Sequence, residues 1–425
     1  MSARRLLAPL VALAVLVPSI PASAATAARP VHPATTGGWS SAWAVAHHDP
    51  VPGNAWDGPN WSMDGFTNQS VRQVVRVSGA GSVLRIRLSN RYGTQPLRLT
   101  GATIGRSDAG AAVRPGSLRA LTFDRRLSTT LPPGTETTSD PLPLPVRALD
   151  ALTVTLYFAG ASGPATFHQS GLTTTYRAHG DRRFDHRGAA FAGETSQSWY
   201  HLAGVDVAGS PHTRGTVVTF GDSQTDGYGS TPGADNRYPD ELAERLVATR
   251  RPLAVVNAGI SGNKLLADSP CYGERGVGRF HRDVLGQPGV RAAVVLLGVN
   301  DIGAGGYPDF GCGASPVVTA TDLIAGHRAL IRAARVRGIT VIGATLPPIK
   351  NAQGYDSPEK EAVRDELNHW IRTGGEYDAV VDLDRVLADP TDPDALNPAY
   401  DHGDHLHLND AGAARAAAAV AATIR

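Results

Sequence analysis

Two periods of hydrophobic and polar positions divide the chain. From about Gly38 to Ala208 the pattern alternates. Leu84, Ile86 and Leu88 are interleaved with Arg85, Arg87 and Ser89, and Leu152, Val154, Leu156 and Phe158 with Thr153, Thr155 and Tyr157. A period of two points one side of a strand into a core and the other toward solvent. The runs "VRQVVRVS", "LRLTGATIG" and "SLRALTFD" read the same way, and turn signals such as "SNRYG" and "LPPGTE" separate them. The pattern predicts an all-β sandwich over residues 38–208.

From Thr213 the period changes. Short continuous apolar runs, "GTVVTFGDS", "LAVVNAGISG", "RAAVVLLGVND", "ITVIGATLPP" and "DAVVDLD", follow one another. Such runs fit strands of a parallel sheet with both faces covered. Helical stretches lie between and after them: "YPDELAERLVATR", "TDLIAGHRALIRAARVRG", "SPEKEAVRDELNHWIRTGG" and "NDAGAARAAAAVAATIR". Ser357 followed by Pro358 is a helix start, and Gly374 a stop. Residues 213–425 are therefore expected to form a three-layer α/β/α domain. Ligands of such sheets bind beyond the carboxyl ends of the strands, where Ser223, Gly262, Asn300 and Asp301 all fall.

The amino terminus adds a destination. Arg4 and Arg5 precede an apolar stretch from Leu6 to Val17, and Ala22-Ser23-Ala24 is an A-x-A cleavage signal. Residues 1–24 read as a secretory signal peptide and residues 25–37, rich in Ala, Thr and Pro, as a flexible lead-in. The expected product is a secreted, extracellular protein without stable membrane insertion. Lys and Arg (40) nearly cancel Asp and Glu (39), and no block of one sign stands out. That balance argues against nucleic acid as a partner. Cys271 and Cys312 are the two cysteines. In an exported chain a disulfide is the simplest reading, with two separately buried thiols as the alternative. A bridge would tie the loop after Gly262 to the loop after Asn300.

The chemistry concentrates in "VVTFGDSQTDG" and "YDHGDHLHLNDAG". A buried strand that ends by presenting Ser223 either makes a turn or aims a nucleophile. A serine needs a base, usually a histidine oriented by a carboxylate. Asp404 lies three residues before His407, a spacing that can bring both side chains to one side of a turn. The anion formed on an attacked carbonyl needs donors. The backbone N–H groups of Ser223 and Gly262 and the Asn300 amide are the candidates. Asp222, Asp226 and Asp301 read as structural, and His405 as a packing or surface residue. The cluster Asp401, His402, Asp404, His405 and His407 is also open to a metal reading, which leaves Ser223, Gly262 and Asn300 without a role; no metal ligand is assigned. G-x-S-x-G and the nucleotide-binding G-x-x-x-x-G-K-[ST] are absent.

With these residues in place, the chain resembles the GDSL, or SGNH, hydrolases. That family carries four blocks in order, matched here by "FGDSQTDG" with Ser223, "NAGISGN" with Gly262, "GVND" with Asn300, and Asp404 to His407. The likeness covers roughly residues 214–425. It implies a flavodoxin-like three-layer fold and serine-dependent ester hydrolysis without a cofactor. Gln224 stands where many members have leucine, which suggests a different pocket wall. The β-rich front half looks like that of a secreted bacterial subgroup of arylesterases or acylhydrolases. The expected substrates are small-molecule or polysaccharide esters with short acyl chains. A lipase or lysophospholipase-type acylhydrolase is the alternative within the class. A glycan-binding protein with a vestigial hydrolase domain is the alternative outside it.

Overall fold

The computed structural model describes residues 38–424, apart from 55–57 and 310. The expected signal peptide and lead-in lie outside the described residues. The alternating runs form two antiparallel sheets. In one, Ser40–Ala44, Leu202–Ala208 and Gly81–Ser89 lie side by side, and Glu136–Thr138 and Leu142–Val146 both pair with Gly81–Ser89. The other runs in the order Thr195–Ser196, Thr175–His179, Gln69–Arg76, Ala151–Phe158, Gly101–Arg106, Arg119–Leu121. Leu84, Ile86 and Leu88 of the first sheet share one core with Val71, Val75, Leu152, Val154 and Leu156 of the second. This is the sandwich expected from the period of two.

One face departs from simple alternation. Thr153 and Thr155 are fully buried although the pattern assigns them to the solvent side. The segment around Arg182–Phe191 covers that face. Arg72 is buried beneath it, donating to Thr155 Oγ1 (2.9 Å), Ala111 O (2.7 Å) and Asp185 O (2.7 Å). Its guanidinium also lies 4.0 Å from the Phe191 ring centroid. A buried arginine is tolerable only when its donors are met, and here the loop supplies backbone carbonyls for that purpose.

The continuous apolar runs form a parallel sheet in the order Ala254–Gly259, Thr216–Gly221, Val290–Leu296, Thr340–Ala344, Ala379–Val381. The first strand in sequence sits second, which creates the change of direction where open α/β sheets bind ligands. Helix Tyr238–Ala248 packs with Asp410–Thr423, and Ala320–Arg335 with Pro358–Thr373. Ser357 Oγ caps the last of these helices by accepting the Lys360 N–H, with Pro358 at its first position. Thr319 and Asp322 form a reciprocal capping box on Ala320–Arg335.

The described residues belong to one compact unit. Thr216 Oγ1, at the foot of strand Thr216–Gly221, donates to Ser41 O (3.0 Å), and Ser78 Oγ accepts the Val255 N–H (2.9 Å). The antiparallel sheets and the parallel sheet are thus joined through buried hydrogen bonds. Among the described residues, no helix is long and apolar enough to cross a membrane.

Candidate active site

Strand Thr216–Gly221 is buried along its whole length and turns at once into the short helix Ser223–Asp226. Asp222 caps that helix, its Oδ1 accepting the Gln224 N–H at 3.1 Å. Burial pushes the Asp222 carboxyl up to about 7, helped by the nearby charge of Asp301. Gly221 permits the turn, because a Cβ there would come 2.3 Å from Leu296 O. Ser223 is the first residue of its helix, so its N–H has no acceptor within the helix.

The carboxy-terminal loop brings a histidine and a carboxylate to Ser223. His407 Nε2 is 2.8 Å from Ser223 Oγ, and His407 Nδ1 is 2.6 Å from Asp404 Oδ2. Asp404 Oδ1 accepts the N–H groups of Leu406 (3.0 Å) and His407 (2.8 Å). Burial alone would raise the Asp404 carboxyl. The hydrogen bond and charge of His407, with the two backbone N–H groups, instead hold it well below the usual carboxylate range. A carboxylate facing Nδ1 fixes the proton on that nitrogen, leaving the Nε2 lone pair for the serine hydroxyl. The Tyr228 ring lies against the His407 ring at 4.6 Å between centroids. His405 is turned away, half exposed and paired with Asp401 at 2.8 Å.

Two other strand ends bring Gly262 and Asn300 to the same place. Gly262 has φ +75°, and a Cβ would lie 2.4 Å from the Tyr272 ring, so two independent constraints require glycine there. Its neighbour Ser261 is pinned by Asp226, whose Oδ2 accepts from Ser261 N (2.8 Å) and Ser261 Oγ (2.7 Å). Asn300 follows strand Val290–Leu296. One amide hydrogen of Asn300 goes to Asn263 O (3.1 Å), and its Oδ1 accepts from the Tyr355 hydroxyl (2.7 Å). The side chain is held at both ends while one N–H remains for a ligand. Asp301 anchors the loop after Gly262 by accepting from Leu265 N (2.6 Å) and Leu266 N (2.9 Å).

Ser223, Gly262, Asn300, Asp404 and His407 therefore line one cavity of about 510 Å³. The sequence of residues 219–415 matches the model of the GDSL-like lipase/acylhydrolase family. Residues 219–415 form a GDSL-like lipase/acylhydrolase domain. A domain of that family supports hydrolase activity on esters. Among solved structures, the chain is similar to a lipase/acylhydrolase from Enterococcus faecalis, at 20% identity, with 49% of this chain and 94% of that one covered and a TM-score of 0.37. It is also similar to a GDSL-like lipase from Bacteroides thetaiotaomicron, at 19% identity, with 49% and 86% covered and a TM-score of 0.35. An acetyl xylan esterase, AlAXEase, shares 21% identity, with 48% and 97% covered and a TM-score of 0.35. No curated protein matches the chain.

Several residues of the GDSL domain's site carried no signal in the sequence. Tyr355 reaches Asn300 from a loop without a motif. Arg279, fully buried, clamps the ends of two strands by donating to Gly221 O (2.7 Å), Ala258 O (2.8 Å) and Asn263 Oδ1 (2.9 Å). Gln224, expected to alter a pocket wall, is instead buried with its amide on Leu406 O, tying the serine helix to the histidine loop. Cys271 and Cys312 are bonded, with Cα atoms 5.1 Å apart, and Ser269 Oγ donates to Cys312 O (2.7 Å) beside them. The loops after Gly262 and Asn300 are joined as the sequence suggested.

Proposed function

We propose that the protein is an exported serine esterase that cleaves carboxylic esters through Ser223, His407 and Asp404 and a covalent acyl-enzyme. The observation that carries this reading is the continuous chain from Ser223 Oγ to His407 Nε2 (2.8 Å) and from His407 Nδ1 to Asp404 Oδ2 (2.6 Å). His407 takes the hydroxyl proton as Ser223 Oγ forms a bond to the ester carbonyl carbon. The resulting oxyanion accepts from the N–H groups of Ser223 and Gly262 and from the Asn300 amide. The carbon–oxygen bond to the alcohol then breaks, and His407 returns its proton to that alcohol. Water, deprotonated by His407, attacks the acyl-enzyme and restores Ser223.

The substrates proposed are short-chain acyl esters, including those on carbohydrates. Tyr228, Tyr272, Tyr307 and Tyr355 line the cavity. Tyrosine combines an apolar face with a polar edge, which suits an alcohol that is itself amphipathic. Export is supported by the leader-like residues 1–24 and by the Cys271–Cys312 bond, which persists in oxidising compartments. The test is a panel of p-nitrophenyl esters from acetyl to long-chain, with acetylated xylan, run beside Ser223→Ala. Turnover greatest for short acyl groups and absent from the variant is expected. A preference for long chains would replace the substrate class, and turnover by the variant would remove the mechanism.

A further inference from the structure

His168 lies outside the matched domain, in the antiparallel half, on strand Phe167–His168 paired with Trp199–Tyr200. Its ring is fixed on three sides. It stacks on Trp199 with centroids 5.6 Å apart, its Nδ1 is 2.9 Å from Ala46 O, and its Nε2 is 2.9 Å from Asp226 Oδ1. Both side chains of the His168–Asp226 pair are almost wholly buried, at 3% and 2% exposure. Asp226 closes the helix that begins with Ser223, and its other oxygen holds Ser261 beside Gly262.

A carbonyl only accepts, so Nδ1 carries a hydrogen for Ala46 O. His168 Nε2 lies 2.9 Å from Asp226 Oδ1, an ion-pair contact between two buried side chains. The other groups nearby have their own partners. Arg237 is paired with Asp240 at 2.6 Å, and Arg279 binds the carbonyls at the strand ends. The imidazole of His48 is neutral, since burial drives its proton affinity down to about 3.

We propose that His168 is a positioning residue for the esterase site, acting through Asp226 to hold the Ser261–Gly262 segment against the Ser223 helix. The antiparallel half thereby supplies a brace for an oxyanion donor. This inference rests on the esterase reading. A displacement of about 1 Å at a reacting site can cost on the order of 100-fold in rate. His168→Ala is therefore expected to lower kcat about 10- to 100-fold while KM moves less than about threefold.

The variants also separate positioning from folding. In Asp226→Asn the amide oxygen still accepts from Ser261, and the amide NH₂ still faces His168 Nε2. Asp226→Ala loses both contacts. The experiment measures kcat and KM with p-nitrophenyl acetate, normalised to the serines titrated by an organophosphate in each preparation. A purely structural role would reduce the number of titratable serines and leave kcat per serine unchanged. Support is a low kcat for His168→Ala and Asp226→Ala with Asp226→Asn recovering to within about threefold of wild type. An unchanged kcat in His168→Ala overturns the proposal, as does Asp226→Asn falling as far as Asp226→Ala. If His168→Ala is not recovered folded, the two Asp226 variants decide. Wild-type protein without ester turnover would sink the esterase reading and this proposal together, whereas wild-type turnover with insensitive variants sinks this proposal alone.

Discussion

Asp404→Asn changes one atom and should nearly silence the site. In the wild type, Asp404 Oδ1 accepts two backbone N–H groups, from Leu406 and His407, while Oδ2 accepts the His407 Nδ1 hydrogen. An amide can satisfy only one side of this arrangement. If its oxygen keeps the backbone donors, its NH₂ faces Nδ1 and forces the imidazole proton onto Nε2. That proton then points at Ser223 Oγ, 2.8 Å away, and the base is lost. If the amide flips to preserve the tautomer, its NH₂ confronts two backbone donors and leaves them unmet, at about 1–3 kcal/mol each. The first arrangement is favoured, and the corresponding change in a serine protease costs about 10⁴-fold in kcat. The expected loss here is about 10³- to 10⁴-fold, equivalent to about 4–5.5 kcal/mol in the barrier. The assay is p-nitrophenyl acetate turnover by protein shown to be folded by circular dichroism. A loss smaller than about tenfold would refute the role given to Asp404.

Three further outcomes follow from named contacts. Asn300→Ala should raise the barrier by about 2.7–4 kcal/mol, seen in kcat, because a donor to the transition state is lost; an effect confined to KM would remove Asn300 from that role. Reduction of Cys271–Cys312, which closes a separation of 41 residues, should remove about 4 kcal/mol of stability in the chain-entropy model and lower turnover while the protein is still folded; unchanged turnover after verified reduction would contradict this. Asp222 holds its proton up to about pH 7 in the folded state, against about 4 when unfolded, so folded protein binds the proton more tightly and wild-type stability should fall as pH rises across that window. Asp222→Asn should flatten the dependence and be more stable than wild type by about 1–4 kcal/mol above it, measured by urea unfolding near pH 4.5 and pH 8; equal stabilities at the higher pH would show that burial does not disfavour the charged form.

The parts legible in the sequence are those written in local periods. Thr216–Gly221 is apolar throughout because a parallel strand is covered on both faces, and that run led directly to Ser223. Gly81–Ser89 alternates because a sandwich strand has one core face. Asp404 and His407 were legible through their spacing, and Gly262 and Asn300 because each lies just beyond the end of a strand. What stayed hidden depends on contacts between distant segments. Tyr355 reaches Asn300 across 55 positions, and His168 meets Asp226 from the other half of the chain. Neither lies in a periodic run, so nothing local distinguishes them from any buried tyrosine or histidine. Thr155 was misassigned to solvent for the same reason, since the loop covering it belongs to residues far along the chain. Gln224 follows the nucleophile and so suggested a pocket wall, but its amide finds the Leu406 carbonyl instead.

Covalent trapping puts the assignment of Ser223 as nucleophile to the test. Wild-type protein is treated with a fluorophosphonate, its intact mass is measured, and the modified peptide is sequenced. One adduct per chain is expected, on Ser223, with ester turnover lost in proportion to labelling. No adduct and no turnover are expected in Ser223→Ala. An adduct on another serine that accounts for the lost turnover, or a Ser223→Ala protein that still hydrolyses esters, would contradict that assignment.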